Sequence, residues 1–259
     1  MTSTTTTPRS ATGAIALRGV TKVYGRGEGA VLALDGVTLD VAPGEFVCLV
    51  GASGCGKSTL LNLVAGLDRV SSGEIDLGTG VDPGLMFQES ALFPWLTVAG
   101  NVEVPLKLRG LSRAARRERV AELLGAVRLA DFDRKRPHEL SGGMRQRVAL
   151  ARTLALDTPV LLMDEPFGAL DAMTRDLLHD ELERIWSEQK LTVLFVTHNV
   201  REAARLADRI ILLSSRPGRI IWSTRVDVPR PRRIDAPEVA SIAAEVTDRL
   251  RTEVGRHGR

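Results

Sequence analysis

Two periodicities alternate along this chain and divide it into elements. Ile15–Val20 and Leu32–Val41 alternate apolar and polar positions, the period of strands with one face buried. The glycine-rich stretch Tyr24–Gly29 predicts a turn between them, and Pro43-Gly44 predicts another after the second strand. Phe46–Val50, Val160–Met163, Val193–Val196 and Ile210–Leu213 are continuous apolar runs, which suit strands covered on both faces. Pro217-Gly218 then turns the chain into a last short run, Ile220–Trp222. Between about 112 and 155 the period becomes helical, with Val120, Leu123, Leu124 and Val127 on one stripe. Leu178, Leu182, Ile185 and Trp186 form a second stripe, and a polar helix is predicted near Pro237–Val254. Strands alternating with helices predict an α/β fold with a largely parallel sheet and crossover helices.

The length, 259 residues, suffices for one large α/β domain or two small ones. No apolar run approaches the roughly 18–20 residues of a membrane span. The Thr/Ser-rich start, 1–13, has no secretion pattern and is expected to be a disordered tail. The net charge of +3 is too mild to argue for nucleic acid, and 4% aromatic residues do not supply a base-stacking platform. The two cysteines, Cys48 and Cys55, are not spaced for a zinc or disulfide framework, so a reduced, cytosolic chain is expected. The charged stretch Arg113–Arg119 reads as a solvated helix face ahead of a basic contact site.

Residues 51–59 read Gly51-Ala52-Ser53-Gly54-Cys55-Gly56-Lys57-Ser58-Thr59. Glycines at the first and sixth positions, followed by Lys-Ser, satisfy the phosphate-loop pattern. A buried strand precedes the loop, and an apolar helix, Leu60–Ala65, follows and closes at Gly66. Glycines let backbone N–H groups converge on phosphate oxygens, and the helix start adds a positive dipole end. Lys57 is the expected counter-charge for β- and γ-phosphates, and the Ser58 hydroxyl an expected Mg²⁺ ligand.

Val160–Met163 runs straight into Asp164 and Glu165. Ligands of open α/β sheets bind beyond the C-terminal ends of the strands, and a carboxylate pair there suggests chemistry. Asp164 suits a Mg²⁺-orienting role, and Glu165 the role of general base towards a water. His198 follows the next buried strand on the same sheet edge, in reach of a γ-phosphate or the attacking water. Taken singly, each of these residues could be an ordinary exposed or structural side chain.

Leu140-Ser141-Gly142-Gly143-Met144-Arg145-Gln146 resembles the signature motif of the ABC ATPase family, and the resemblance extends from about Ile15 to Trp222. It implies the P-loop NTPase fold of an ABC ATPase: a mostly parallel α/β sheet, an N-terminal antiparallel β subdomain and a helical signature subdomain. The ATPase domain is expected over 14–228, with the helical part at about 90–155 and a peripheral C-terminal tail over 229–259. The resemblance further implies that Tyr24 stacks on adenine, that Gln88 serves both the catalytic water and Mg²⁺, and that Asp171, in Ala169-Leu170-Asp171, is the D-loop aspartate. His198 matches the switch histidine. Ser141, Gly142 and Gly143, at the start of a helix through Leu154, would cap ATP bound to a second copy of the chain. Free N–H groups at such a helix start form an anion site. Cys55 within the phosphate loop raises the expectation of sensitivity to thiol reagents.

Phe93-Pro94-Trp95, Leu170-Asp171-Ala172-Met173-Thr174-Arg175 and Leu213-Ser214-Ser215-Arg216-Pro217-Gly218-Arg219 resemble the nitrate/sulfonate/taurine importer branch. That branch implies two transmembrane permease subunits, an extracytoplasmic solute-binding protein and a peripheral position on the cytoplasmic face of the membrane. Phe93 and Trp95 either fill the helical subdomain or meet a coupling helix of the permease. No membrane domain, regulatory domain, second cassette or long heptad array lies within the 259 residues. The competing readings are a non-transport ABC ATPase acting on nucleic acid or ribosomes, and an idle nucleotide-binding scaffold. Salt-dependent polynucleotide binding would mark the former. Glu165 and His198 together argue against the latter, and no nucleic-acid partner is expected.

Overall fold

The computed structural model describes residues 14–168 and 170–257, and of 256 and 257 the backbone alone. The expected tail, 1–13, and Ala169 lie outside the described residues. Two long strands open the fold, β1 (Ile15–Tyr24) and β2 (Val31–Val41), paired antiparallel. Next come β3 (Phe46–Val50), α1 (Lys57–Val64), β4 (Ser72–Asp76) and β5 (Gly84–Met86). Three helices follow: α2 (Val98–Leu108), α3 (Arg113–Ala126) and α4 (Gly142–Leu154). The α/β alternation resumes with β6 (Val160–Asp164), α5 (Ala172–Gln189), β7 (Thr192–Val196), α6 (Val200–Leu206), β8 (Arg209–Leu213) and β9 (Ile220–Arg225). Helix α7 (Pro237–His257) comes last.

A three-stranded antiparallel sheet, β2-β1-β4, accompanies a six-stranded sheet, β5-β6-β7-β3-β8-β9, in which only β9 runs antiparallel. The continuous apolar runs are its inner strands: β3 and β7 are buried at every position. Successive side chains supply opposite faces. Phe46, Cys48 and Val50 join a core shared with α2 to α7. Val47 and Leu49 join a second core with α1 and the strands β1 and β2. The two cores clamp the sheet, so its C-terminal edge is rigid where the loops after β3, β6 and β7 emerge.

The structure departs from the expected elements where pattern was weak. Strand β4 is largely exposed and takes its place from antiparallel pairing with β1, not from apolar alternation. Helix α2 begins well before 112 and contains Pro105, a residue that normally interrupts a helix. The segment expected to be a peripheral tail buries Val239, Ala243 and Val246 in the larger core. The same segment contributes Arg232, whose buried guanidinium donates to the carbonyls of Val226, Val228, Arg205 and Ala207. Burial pushes this guanidinium down to about 10.

Candidate active site

The loop after β3 turns into α1 at Gly56, whose φ is +100°. A Cβ there would lie 2.7 Å from Leu34 Cδ2 and 2.9 Å from the Ala33 carbonyl oxygen. Only glycine lets β2 press so closely on the loop. The Lys57 ammonium is buried and donates to the carbonyls of Gly51 at 2.9 Å and Ala52 at 3.0 Å. The lysine is thereby folded along the cradle whose counter-charge it supplies. Cys55 is buried and its thiol is pushed up by burial, against the pull of Lys57. A protonated, buried thiol is a poor nucleophile, which contradicts the expected sensitivity to thiol reagents.

Asp164 and Glu165 end β6 beside this loop. Ser58 donates a hydrogen bond to the Asp164 carboxylate, yet desolvation, the larger effect, raises that carboxyl. Glu165 has φ +44°, a left-handed conformation that a non-glycine residue adopts at a cost. Its backbone N–H donates to the Val196 carbonyl at 2.9 Å, which extends the β6–β7 pairing and holds the strained turn. The carboxylate Oε2 lies 2.9 Å from His198 Nδ1 and accepts from Gln88 Nε2 at 3.5 Å. Three separate loops thus converge on one carboxylate oxygen.

A cleft of about 450 Å³ opens over these groups. Ser53, Gly54, Gly56, Lys57, Ser58 and Thr59 of the loop and helix start line it, together with Gln88, Glu165 and His198. Tyr24 also lines it, its hydroxyl donating to Asp68 Oδ2 at 3.0 Å. Val31, Ala33 and Arg216 also line the cleft, and sequence reasoning gave them no role. Arg216 follows the C-terminal end of β8, the same edge rule that flagged His198, and donates to the Gly54 carbonyl at 3.4 Å. That rule could have found it.

Ser141, Gly142, Gly143 and Asp171 are not among the lining residues. Ser141 caps α4, accepting from Met144 N at 3.2 Å, and Asp171 caps α5, accepting from Thr174 N at 2.9 Å. The Thr174 N–H holds the exposed Asp171 carboxyl below its usual range. The two caps belong to one surface: a Cβ on Gly143 would sit 3.0 Å from Leu170 Cδ2. From that surface the buried Gln146 reaches back, donating from Nε2 to the Gln88 carbonyl at 3.3 Å.

Among the described residues no group of three or more His, Cys, Asp or Glu side chains could hold a metal. Ser58 and Asp164 still fit Mg²⁺, a hard cation usually bound through one or two protein oxygens, phosphates and water. The raised Asp164 carboxyl carries a testable consequence. A group whose folded pKa is raised stabilises the fold below its unfolded pKa and loses that contribution as pH rises through the folded pKa. At neutral pH the buried charge is therefore a cost. Asp164→Asn is expected to raise the Tm of the nucleotide-free protein at pH 7–8 by a few degrees. The advantage should shrink as pH falls through the raised folded pKa and vanish below the unfolded value of about 4. A pH-independent Tm difference in calorimetry would refute the burial cost.

A phosphate cradle, the carboxylate of Glu165 and a strand-end histidine in one cleft, with Asp164 hydrogen-bonded to Ser58 beside it, define a P-loop nucleoside triphosphatase. The family profile described as ABC transporter matches residues 34–168, and the chain belongs to that family. It is 48% identical over 214 residues to the nitrate import ATP-binding protein NrtD of Synechocystis sp., covering 80% of each chain. It is 45% identical over 237 residues to the aliphatic sulfonates import ATP-binding protein SsuB of Bacillus licheniformis, covering 89% of this chain and 92% of that protein. The dimeric structure of a bacterial ABC transporter cassette, MJ0796, superposes with a TM-score of 0.77 at 37% identity, covering 83% of this chain and all of the other.

Proposed function

We propose that the chain binds ATP and hydrolyses it to drive an importer of a small oxyanion or sulfonate, working as a pair of copies beneath two permease subunits. The observation that carries this reading is the convergence of Lys57, Ser58, Gln88, Glu165 and His198 on one cleft from four separate stretches of chain. The import function and the solute class rest on the relatives named for nitrate and sulfonate import.

In this reading, backbone N–H groups of 51–59 and the start of α1 hold the triphosphate, and Lys57 neutralises its β- and γ-charges. Tyr24 meets the adenine. Ser58, Asp164 and Gln88 would hold Mg²⁺, which neutralises phosphate charge when bound. Binding of the cation also offsets the desolvation cost carried by Asp164. Glu165 takes a proton from the attacking water. His198 and Gln88 both address Oε2, leaving Oε1 for that proton. His198 fixes the carboxylate rotamer and faces the γ-phosphate position. The Ser141–Gly143 turn and Asp171, outside the cleft of their own chain, close the site of a second copy.

Trp95 is 67% exposed, so it does not fill the helical core. The Phe93 ring packs against it at a 41° tilt with 5.5 Å between ring centres, and buried Asn101 clamps the Phe93 backbone at both N–H and carbonyl. An exposed tryptophan backed by a half-buried phenylalanine on a stiff loop suits a permease contact. Among the described residues no helix is long and apolar enough to cross a membrane. In this reading, which the relatives named for import support, a permease holds the chain peripherally on the cytoplasmic face, and an extracytoplasmic binding protein supplies solute. The mild charge disfavours nucleic acid as partner.

Phosphate release from MgATP, by the pure chain and by the complex co-purified from membranes, tests this. Wild type should turn over, and Lys57→Ala should weaken ATP binding by about tenfold or more, as expected for a lost charged hydrogen bond. A wild type silent in both settings, or a Lys57→Ala variant with unchanged ATP affinity, would sink the reading.

A further inference from the structure

His198 poses a physical problem. Its side chain is 67% exposed, and its ring meets the Glu165 carboxylate at 2.9 Å. An exposed imidazole takes its direction from its backbone, so whatever holds residues 197 and 199 aims the ring. Thr197 is buried, and its hydroxyl donates to Glu202 Oε2 while accepting the Asn199 N–H at 3.0 Å. The Asn199 side chain accepts in turn from the N–H groups of Arg201 at 3.1 Å and Glu202 at 3.3 Å.

Glu202 is itself fixed from below. Its Oε1 lies 2.7 Å from Nε2 of the fully buried His179 on α5, and Arg205 Nη1 lies 2.9 Å from His179 Nδ1. Arginine can only donate, so Nδ1 accepts and the Nε2 proton goes to Glu202. Arg205 thus sets the tautomer, and His179 presents the donor that orients Glu202. The ring of His179 also meets Phe167 edge-on at 5.0 Å, two residues beyond Glu165. Glu165, His198, Thr197, Phe167 and Glu202 line one small cavity. A carboxylate with two donors, buried under both groups that face the reacting phosphate, is a costly arrangement to maintain in a core.

We infer that the buried chain Arg205–His179–Glu202–Thr197 positions His198, and through it Glu165, for hydrolysis. These are positioning residues, since none of them reaches the nucleotide cleft. The inference rests on the ATPase reading above. It also ties α5, which begins at the D-loop, to the histidine loop by side-chain hydrogen bonds.

Glu202→Ala would strip His179 and Thr197 of their shared partner and test folding instead. Thr197 separates the roles, because valine keeps its shape without the hydroxyl and serine keeps the hydroxyl. At saturating MgATP, Thr197→Val should lower kcat about tenfold or more with KM unchanged, and Thr197→Ser should stay within about twofold of wild type. Single-turnover hydrolysis then sets the route. In a His198→Ala background, Thr197→Val should cost less than about twofold further, because a residue acting through His198 has nothing left to aim. Asn199→Ala, at a half-buried cap, should lower kcat in the same direction, with Asn199→Asp restoring it. The inference is overturned by near-wild-type kcat in Thr197→Val or Asn199→Ala, by equal losses in the valine and serine variants, or by losses that multiply in the His198→Ala background. These outcomes leave the ATPase reading intact. A silent wild type removes that reading first, and this inference with it.

Discussion

Glu165→Gln is expected to leave ATP affinity within a few-fold of wild type while slowing phosphate release about 10²- to 10⁴-fold, the usual worth of a positioned general base. That range corresponds to about 3–5 kcal/mol of transition-state stabilisation. The amide keeps the size of the side chain and can still contact His198 and Gln88, the partners of Oε2. The left-handed backbone at 165 is held by the Val196 carbonyl and does not depend on the side-chain charge. The lost property is the capacity to accept a proton. Binding without hydrolysis should then accumulate an ATP-bound dimer, visible as a doubled mass by size-exclusion chromatography with light scattering. Wild-type turnover in this variant would remove Glu165 from the base role.

Ser141→Arg should do the converse. The monomer should bind ATP normally, because Ser141 is not among the residues lining its own cleft. Dimer closure should fail, because the side chain at the start of α4 would fill the space into which a partner's γ-phosphate must come. Loss of the Ser141 cap on Met144 N costs about 1 kcal/mol. That shifts Tm by a few degrees and does not unfold a chain of this size. Placed on Glu165→Gln, the variant should abolish the ATP-dependent doubling of mass. A stable ATP dimer carrying Ser141→Arg would refute the role of the signature turn across the dimer.

The phosphate loop, the β6 carboxylates and the inner strands were legible because each is local. Residues 51–59 state their chemistry in nine consecutive positions. The runs at 46–50 and 193–196 are apolar throughout because both sheet faces are covered. The signature residues were legible only through resemblance, since nothing in Ser141-Gly142-Gly143 by itself specifies a second chain. Strand β4 was not legible, because its polar residues are recruited by the register of β1. Helix α2 was masked by Pro105, and the C-terminal packing by the high charge of the segment that carries it.

The residues around 165 and 198 mark the boundary. Periodicity and motif order determined that a carboxylate pair and a histidine would stand at one sheet edge, because strand period and crossover direction are properties of short segments. That His198 meets Glu165 at 2.9 Å, that Arg216 enters the cleft, and that His179 and Arg205 lie beneath Glu202 were decided only by tertiary structure. Those contacts join positions 23 to 162 residues apart, and no local preference encodes a hydrogen bond between side chains brought together only when the sheet and its helices pack.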